Sequence, residues 1–104
     1  MEIIAIHTPN NLMTPDLMAA SIEMGKKLMA KPGEFVPGGK LLAAYHARAK
    51  SVIFCLWEVP NVEVLLPAFE QMSMLGWDNE IIPADKMEVH LEKATKAMEA
   101  MAKG

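Results

Sequence analysis

Gly38-Gly-Lys-Leu-Leu-Ala-Ala-Tyr-His-Ala-Arg-Ala-Lys-Ser-Val-Ile-Phe-Cys-Leu-Trp-Glu-Val-Pro60 is the stretch that decides how this 104-residue chain folds. Two apolar runs rich in strand-forming residues flank a short polar segment, with glycines before the first run and a proline after the second, which is the pattern of a β-hairpin. With residues 47–50 as the turn, Tyr45 pairs with Val52, Ala43 with Phe54 and Leu41 with Leu56. His46, Ala44 and Leu42 then share the other face with Ile53, Cys55 and Trp57. The bulky Phe54, Leu56 and Leu41 side suits a position beneath helices, and Ile4 and Ile6 match it on the preceding strand. His7, Ala5, His46, Ile53, Cys55 and Trp57 are left for the opposite face. One residue more or fewer in the turn would exchange these faces.

Working outward, Ile3 to His7 is a short β-branched run halted by Thr8-Pro9-Asn10-Asn11, and it reads as a first strand. Thr14-Pro15-Asp16 supplies a capping hydroxyl, a proline at the first helical position and an acid near the positive end of the helix dipole. The helix they open is expected to reach Ala30, with Met18, Ile22, Gly25 and Met29 at helical spacing, and to stop at Lys31-Pro32-Gly33. Residues 34–39 are expected to form a loop. After the hairpin, Asn61 caps a second helix that Pro67 kinks or divides between Val62 and Leu75, and Gly76 ends it. Glu80 to Ile82 reads as a short fourth strand stopped by Pro83. Asp85 and Glu88 then open a last helix over residues 86–103, whose Met87, Leu91, Ala94, Met98 and Met101 form an apolar stripe that should pack on its own sheet or on a partner subunit.

The order strand, helix, strand, strand, helix, strand, helix is that of an α+β, ferredoxin-like βαββαβ fold with an added C-terminal helix, built on a four-stranded antiparallel sheet. A chain of 11.5 kDa has room for one domain over residues 1–104. Helices on one side leave the other side of the sheet bare, and 52% hydrophobic against 22% charged residues is a high ratio for so small a surface. A homodimer joined through the sheet face is therefore expected. The net charge of −3 and the lack of any Lys or Arg run speak against nucleic acid as a partner. No stretch approaches the roughly 20 apolar residues of a spanning helix, so no membrane partner is expected. The N-terminal residues have neither the basic region nor the long apolar region of a signal peptide, and Cys55 is the only cysteine. Both point to a cytoplasmic protein.

Chemistry is concentrated in few places. His7, at the end of the first strand, is the candidate catalytic residue, because an imidazole exchanges protons near neutral pH. Trp57, Tyr45, His46, Cys55 and Glu58 are candidate substrate-binding residues. Each also has a plainer reading: His7 a loop hydrogen bond, His46 a solvated turn residue, Cys55 a small buried hydrophobe, Trp57 a core anchor, Glu58 a partner of the Asn61 cap. His90 reads as a surface histidine on the last helix. No Ser-His-Asp order, HExxH, GxGxxG or phosphate-binding glycine loop is present. Three scattered histidines and ten methionines spread over the helices do not make a metal site, and no cofactor is expected.

The hairpin ending in Leu56-Trp57-Glu58, the Asn-capped interrupted helix and Glu80-Ile81-Ile82-Pro83 resemble the dimeric α/β-barrel superfamily over nearly the whole chain. The nearest likeness is to its small uncharacterised bacterial members, and a more distant one to the antibiotic-biosynthesis monooxygenase type. The likeness lies in element order more than in motif. In haem-degrading relatives a first-strand polar residue and a third-strand tryptophan face the pocket, and His7 and Trp57 occupy comparable places. Those relatives also use a histidine on the second helix, where Val62 to Leu75 has none, so the resemblance does not extend to haem. Two functions stay open: a cofactor-independent enzyme of monooxygenase, isomerase or cyclase type acting on a small apolar or aromatic substrate, or a non-catalytic ligand-binding or interaction dimer.

Overall fold

Glu2-Ile-Ile-Ala-Ile-His-Thr-Pro9 forms β1 (Glu2–Pro9), the strand around which the sheet is assembled in the computed structural model, which describes residues 1–103. On one side of it lies β3 (Val52–Glu58) and on the other β4 (Trp77–Ala84), with β2 (Lys40–Ala47) outside β3. All neighbours are antiparallel, and the order across the sheet is β2-β3-β1-β4. The fold is thus α+β with a four-stranded antiparallel sheet.

The hairpin register is displaced by two residues from the expected one. Tyr45 faces Phe54 and His46 faces Ile53, with Ala47 opposite Val52 and the turn at residues 48–51. An even displacement preserves side-chain parity, so His46 and Ala44 still share a face with Ile53 and Cys55. Farther along, an irregularity between Leu41 and Ala43 brings Leu41 opposite Trp57, moving it off the Phe54 side where it was expected.

The direction the sheet faces is also the reverse of the expected one. Ile3, Ala5, His7, Cys55 and Trp57 are buried beneath the helices, whereas Phe54 remains 40% exposed and Ile4, Ile6 and Leu56 are half-buried. The physical reason lies in shape. On the covered face the large Trp57 and Ile3 alternate with the small Ala5 and Cys55, and all four pack in one core with Leu65 and Phe69.

α1 (Pro15–Ala30) opens as expected, with Thr14 Oγ1 accepting a hydrogen bond from the Leu17 N–H at 3.2 Å. Pro32, expected to stop the chain's helical run, instead starts α2 (Pro32–Phe35), because proline's fixed φ suits a first helical position as well as a stop. That short turn buries Val36 against the sheet. Asn61 Oδ1 caps a 3-10 turn over Val62–Leu65, and α3 (Leu66–Met74) follows with Pro67 in its first turn, where a missing N–H costs nothing. The division expected from Pro67 is this junction. Gly76 follows α3 with φ +91°, a conformation that favours glycine.

β4 is longer than expected at both ends. It starts at Trp77 directly after Gly76, and it runs past Pro83, which pairs with Ile3 and is tolerated because β4 is an edge strand with one unpaired side. The last helix, α4 (Met87–Lys103), does not pack on the chain's own sheet: none of its residues is buried, and Met98 and Met101 are 69% and 77% exposed. It gives the molecule an elongated 60 × 30 × 20 Å outline. Among the described residues, no helix is long and apolar enough to cross a membrane.

Candidate functional site

α1 meets the sheet only in part, with Leu28 against the core and Ser21 at the sheet edge. None of the sixteen residues of α1 is buried, and a cavity of about 200 Å³ lies between this helix, α3 and the sheet. The sheet supplies His7, Cys55 and Trp57 to its wall, α1 supplies Met24 and Leu28, and α3 supplies Phe69. Trp77, from the start of β4, closes one side. Its Nε1–H donates to Ser21 Oγ at 2.8 Å, and that hydroxyl donates in turn to the Leu17 carbonyl at 2.7 Å, fastening α1 to the sheet edge.

Among the described residues, His7 is the one buried polar residue, with 2% of its surface exposed. β1 and β4 place it directly opposite Asn79, and His7 Nδ1 lies 2.7 Å from Asn79 Oδ1. The amide of Asn79 has a determined orientation. Its Nδ2 group donates to the Phe69 carbonyl at 3.1 Å and to Ser73 Oγ at 3.0 Å, which turns Oδ1 toward the imidazole. An amide oxygen only accepts, so Nδ1 carries the proton and donates it to Oδ1. Nε2 is then the unprotonated nitrogen of the neutral ring, and it makes no hydrogen bond to any of the described residues. Burial lowers the His7 pKa below its ordinary value, against the smaller upward pull of the Asn79 bond. The Phe69 ring meets the imidazole edge-on, with centroids 5.0 Å apart and planes at 87°, and fixes its tilt.

Trp57 is 1% exposed, and its Nε1 has no hydrogen-bond partner among the described residues. Cys55 lies in the same wall, its thiol pushed up by burial to about 11, so it stays protonated and acts as a packing group. Three of the residues singled out from sequence, His7, Cys55 and Trp57, therefore meet in one cavity. His46 is exposed and lies in a shallow groove that shares Ser21, Gly25, Ile53 and Trp77 with the cavity wall. Tyr45 is 72% exposed on the opposite face of the sheet, and Glu58 is exposed at the far end of β3, beside Met1 and Pro83. Neither touches the cavity. His90 is exposed on α4. Among the described residues, no group of three His, Cys, Asp or Glu side chains could hold a metal ion.

Sequence reading did not find Asn79, Phe69 or Trp77. One signal was available for two of them. Trp77, Asn79 and Ile81 alternate, and a strand begun immediately after Gly76 puts all three on the face of His7. Compared with known protein families, curated proteins and solved structures, the chain finds no match.

Proposed function

We propose that this protein binds a small, largely apolar or aromatic molecule in the cavity beneath α1 and acts on it without a cofactor, with His7 as general base. The observation that carries this reading is the division of labour in the imidazole: Nδ1–H is spent on Asn79, and Nε2 is left as a lone pair with no partner among the described residues, on a residue that lines a largely apolar, partly open cavity. A neutral imidazole held in one tautomer is ready to take a proton without first losing one. Cavity size fits the substrate class. A dry apolar cavity of about 150 Å³ accepts benzene, so 200 Å³ accommodates a mono- or bicyclic molecule. Met24, Met29 and Met72 in the wall adjust to a flat ligand by rotamer changes.

The reading includes a ferredoxin-like fold and a homodimer of the α/β-barrel type. The fold is supported by the strand order β2-β3-β1-β4, in which β3 lies between the two strands that α1 connects. The side of the sheet away from the helices carries Phe54, Tyr45 and Ile82 at 40%, 72% and 38% exposure. A second copy laid on this apolar face would remove it from water. Sedimentation at micromolar concentration should give the mass of two chains, and a stable monomer would overturn the barrel.

The catalytic reading is tested by screening small aromatic fragments for binding, and then following solvent deuterium uptake at acidic C–H positions of those that bind. Wild-type protein should wash in deuterium, and His7→Gln should bind the same fragments without exchange. Equal exchange in both would remove His7 from the chemistry. Binding with no exchange in either would leave a ligand-binding protein.

A further inference from the structure

The cavity beneath α1 has a neighbour. A groove of about 290 Å³ shares Ser21, Gly25, Ile53 and Trp77 with the cavity wall and adds His46 and Ser51 from the hairpin. At the junction Ser21 and Trp77 are tied by their hydrogen bond, whereas Gly25 presents no side chain, and even a Cβ there would meet nothing within 4 Å. Side-chain packing at Gly25 therefore does not shut one space off from the other. Strand register gives the span. His7 lies opposite Ile53 and Ile53 opposite His46, so one row on the covered face of the sheet carries a histidine at each end. Neighbouring strands lie about 4.8 Å apart, which separates the two histidine backbones by about 10 Å.

The two ends differ in chemistry. No Lys or Arg lines the cavity, whereas the groove ends at the hairpin turn, where Arg48 and Lys50 are exposed beside Ser51. Between Phe35 and Trp57 the chain has no acid, although the whole protein carries a net charge of −3. Among the described residues, no ion pair joins Arg48 or Lys50 to a carboxylate. Ser51 adds a second observation. Its φ of +52° is the one positive value outside glycine among the described residues, so the turn keeps a hydroxyl at the groove where a glycine would sit without strain.

We propose that the groove is the head-group end of the ligand site, and that the ligand is an amphiphilic monocarboxylate: an aromatic ring in the cavity, a short apolar arm beneath Gly25, and a carboxylate received by His46 and the Ser51 hydroxyl. The inference rests on the cavity being the binding site. Charge fixes the direction of binding. Inside the cavity a carboxylate would be an unpaired buried anion, while at the groove it stays hydrated and within a Debye length, about 8–10 Å, of the cations of the turn. An ammonium head would meet those cations with no acid to offset them. A hydroxyl head gains nothing from them.

The test uses 4-phenylbutyrate, 4-phenylbutan-1-ol and 4-phenylbutylamine, one ring and arm with three head groups. At low salt, wild-type protein should bind the carboxylate about three- to fivefold more tightly than the alcohol, the scale of an exposed charge contact, and the amine least. About 0.5 M sodium chloride should erase the difference. In NMR spectra the ring should shift the Met24 methyl whichever compound is bound, and the carboxylate alone should shift the His46 ring. Ser51→Gly removes the hydroxyl and relieves the backbone, so it should raise the melting temperature yet weaken carboxylate binding and leave alcohol binding in place. A Ser51 that served the turn alone would not separate those readouts. If the carboxylate binds no better than either other compound, or if its preference survives in the Ser51→Gly, His46→Ala double variant, the head-group site is refuted while the cavity stands. A carboxylate that shifts His46 without Met24 is bound at the turn only and refutes the proposed ligand. If none of the three binds, the cavity reading and the head-group site fall together. The wild-type affinities and spectra decide the matter even where a variant folds poorly.

Discussion

His7 and Asn79 sit directly opposite each other on β1 and β4, and the 2.7 Å contact between Nδ1 and Oδ1 determines which imidazole nitrogen carries the proton. The order comes from outside the pair. Asn79 is itself held by the Phe69 carbonyl and Ser73 Oγ at the end of α3, so helix position, amide orientation and tautomer form one chain of constraints.

Asn79→Asp keeps the shape and replaces a neutral acceptor with a carboxylate. The charge favours imidazolium, and the His7 pKa should rise. An NMR titration of the imidazole should show the rise, and Asn79→Ala should instead destabilise the protein by about 1–3 kcal/mol through the unpaired groups it leaves.

Acid should weaken the fold through His7. Its folded pKa lies below the unfolded value of 6.5, so the unfolded chain binds the proton first. Stability is complete above that value and declines as pH falls from 6.5 toward the lowered folded pKa. Denaturant midpoints of wild type and His7→Phe, compared across this window, should converge or cross as the wild type loses its term.

Cys55 should be unreactive in the native protein. With its thiol raised to about 11, almost no thiolate exists at pH 8, and its surface is 8% exposed. Iodoacetamide labelling should follow unfolding, becoming rapid only in denaturant.

Gly25 lies in the middle of α1, where a Cβ would meet nothing within 4 Å. Gly25→Ala should stabilise the helix by about 1 kcal/mol. Gly25→Leu should fill cavity space and block fragment binding, which thermal melts and fragment titrations would separate.

Element order, the Thr14 and Asn61 caps and the break at Pro67 were readable from the chain, because each depends on residues close in sequence. The sheet's orientation was not. Ile3-Ile4-Ala5-Ile6 and Phe54-Cys55-Leu56-Trp57 are apolar on both faces, so alternation carries no sign of which side the helices cover. Bulk pointed to Phe54 and Leu56, but the covered side holds bulk of its own in Trp57 and Ile3, which pack with Leu65 and Phe69. Half of the candidate site, His7, Cys55 and Trp57, could be named on one face. The residues that give His7 its tautomer lie in β4 and α3, about 70 positions away along the chain, and only the closed sheet brings them near.

α4 has a thermodynamic consequence of its own. Isolated helices shorter than about 12–15 residues are marginal in water, and α4 has 17, with none of them buried. In a single chain its support comes from intrinsic propensity and from local exposed pairs such as Lys96 with Glu92 at 3.1 Å. Such a segment obeys a helix–coil equilibrium and melts gradually, while the sheet with α1 and α3 unfolds as a cooperative block. In a single chain, circular dichroism on heating should therefore show a gradual loss of helix signal ahead of the cooperative transition followed by tryptophan fluorescence.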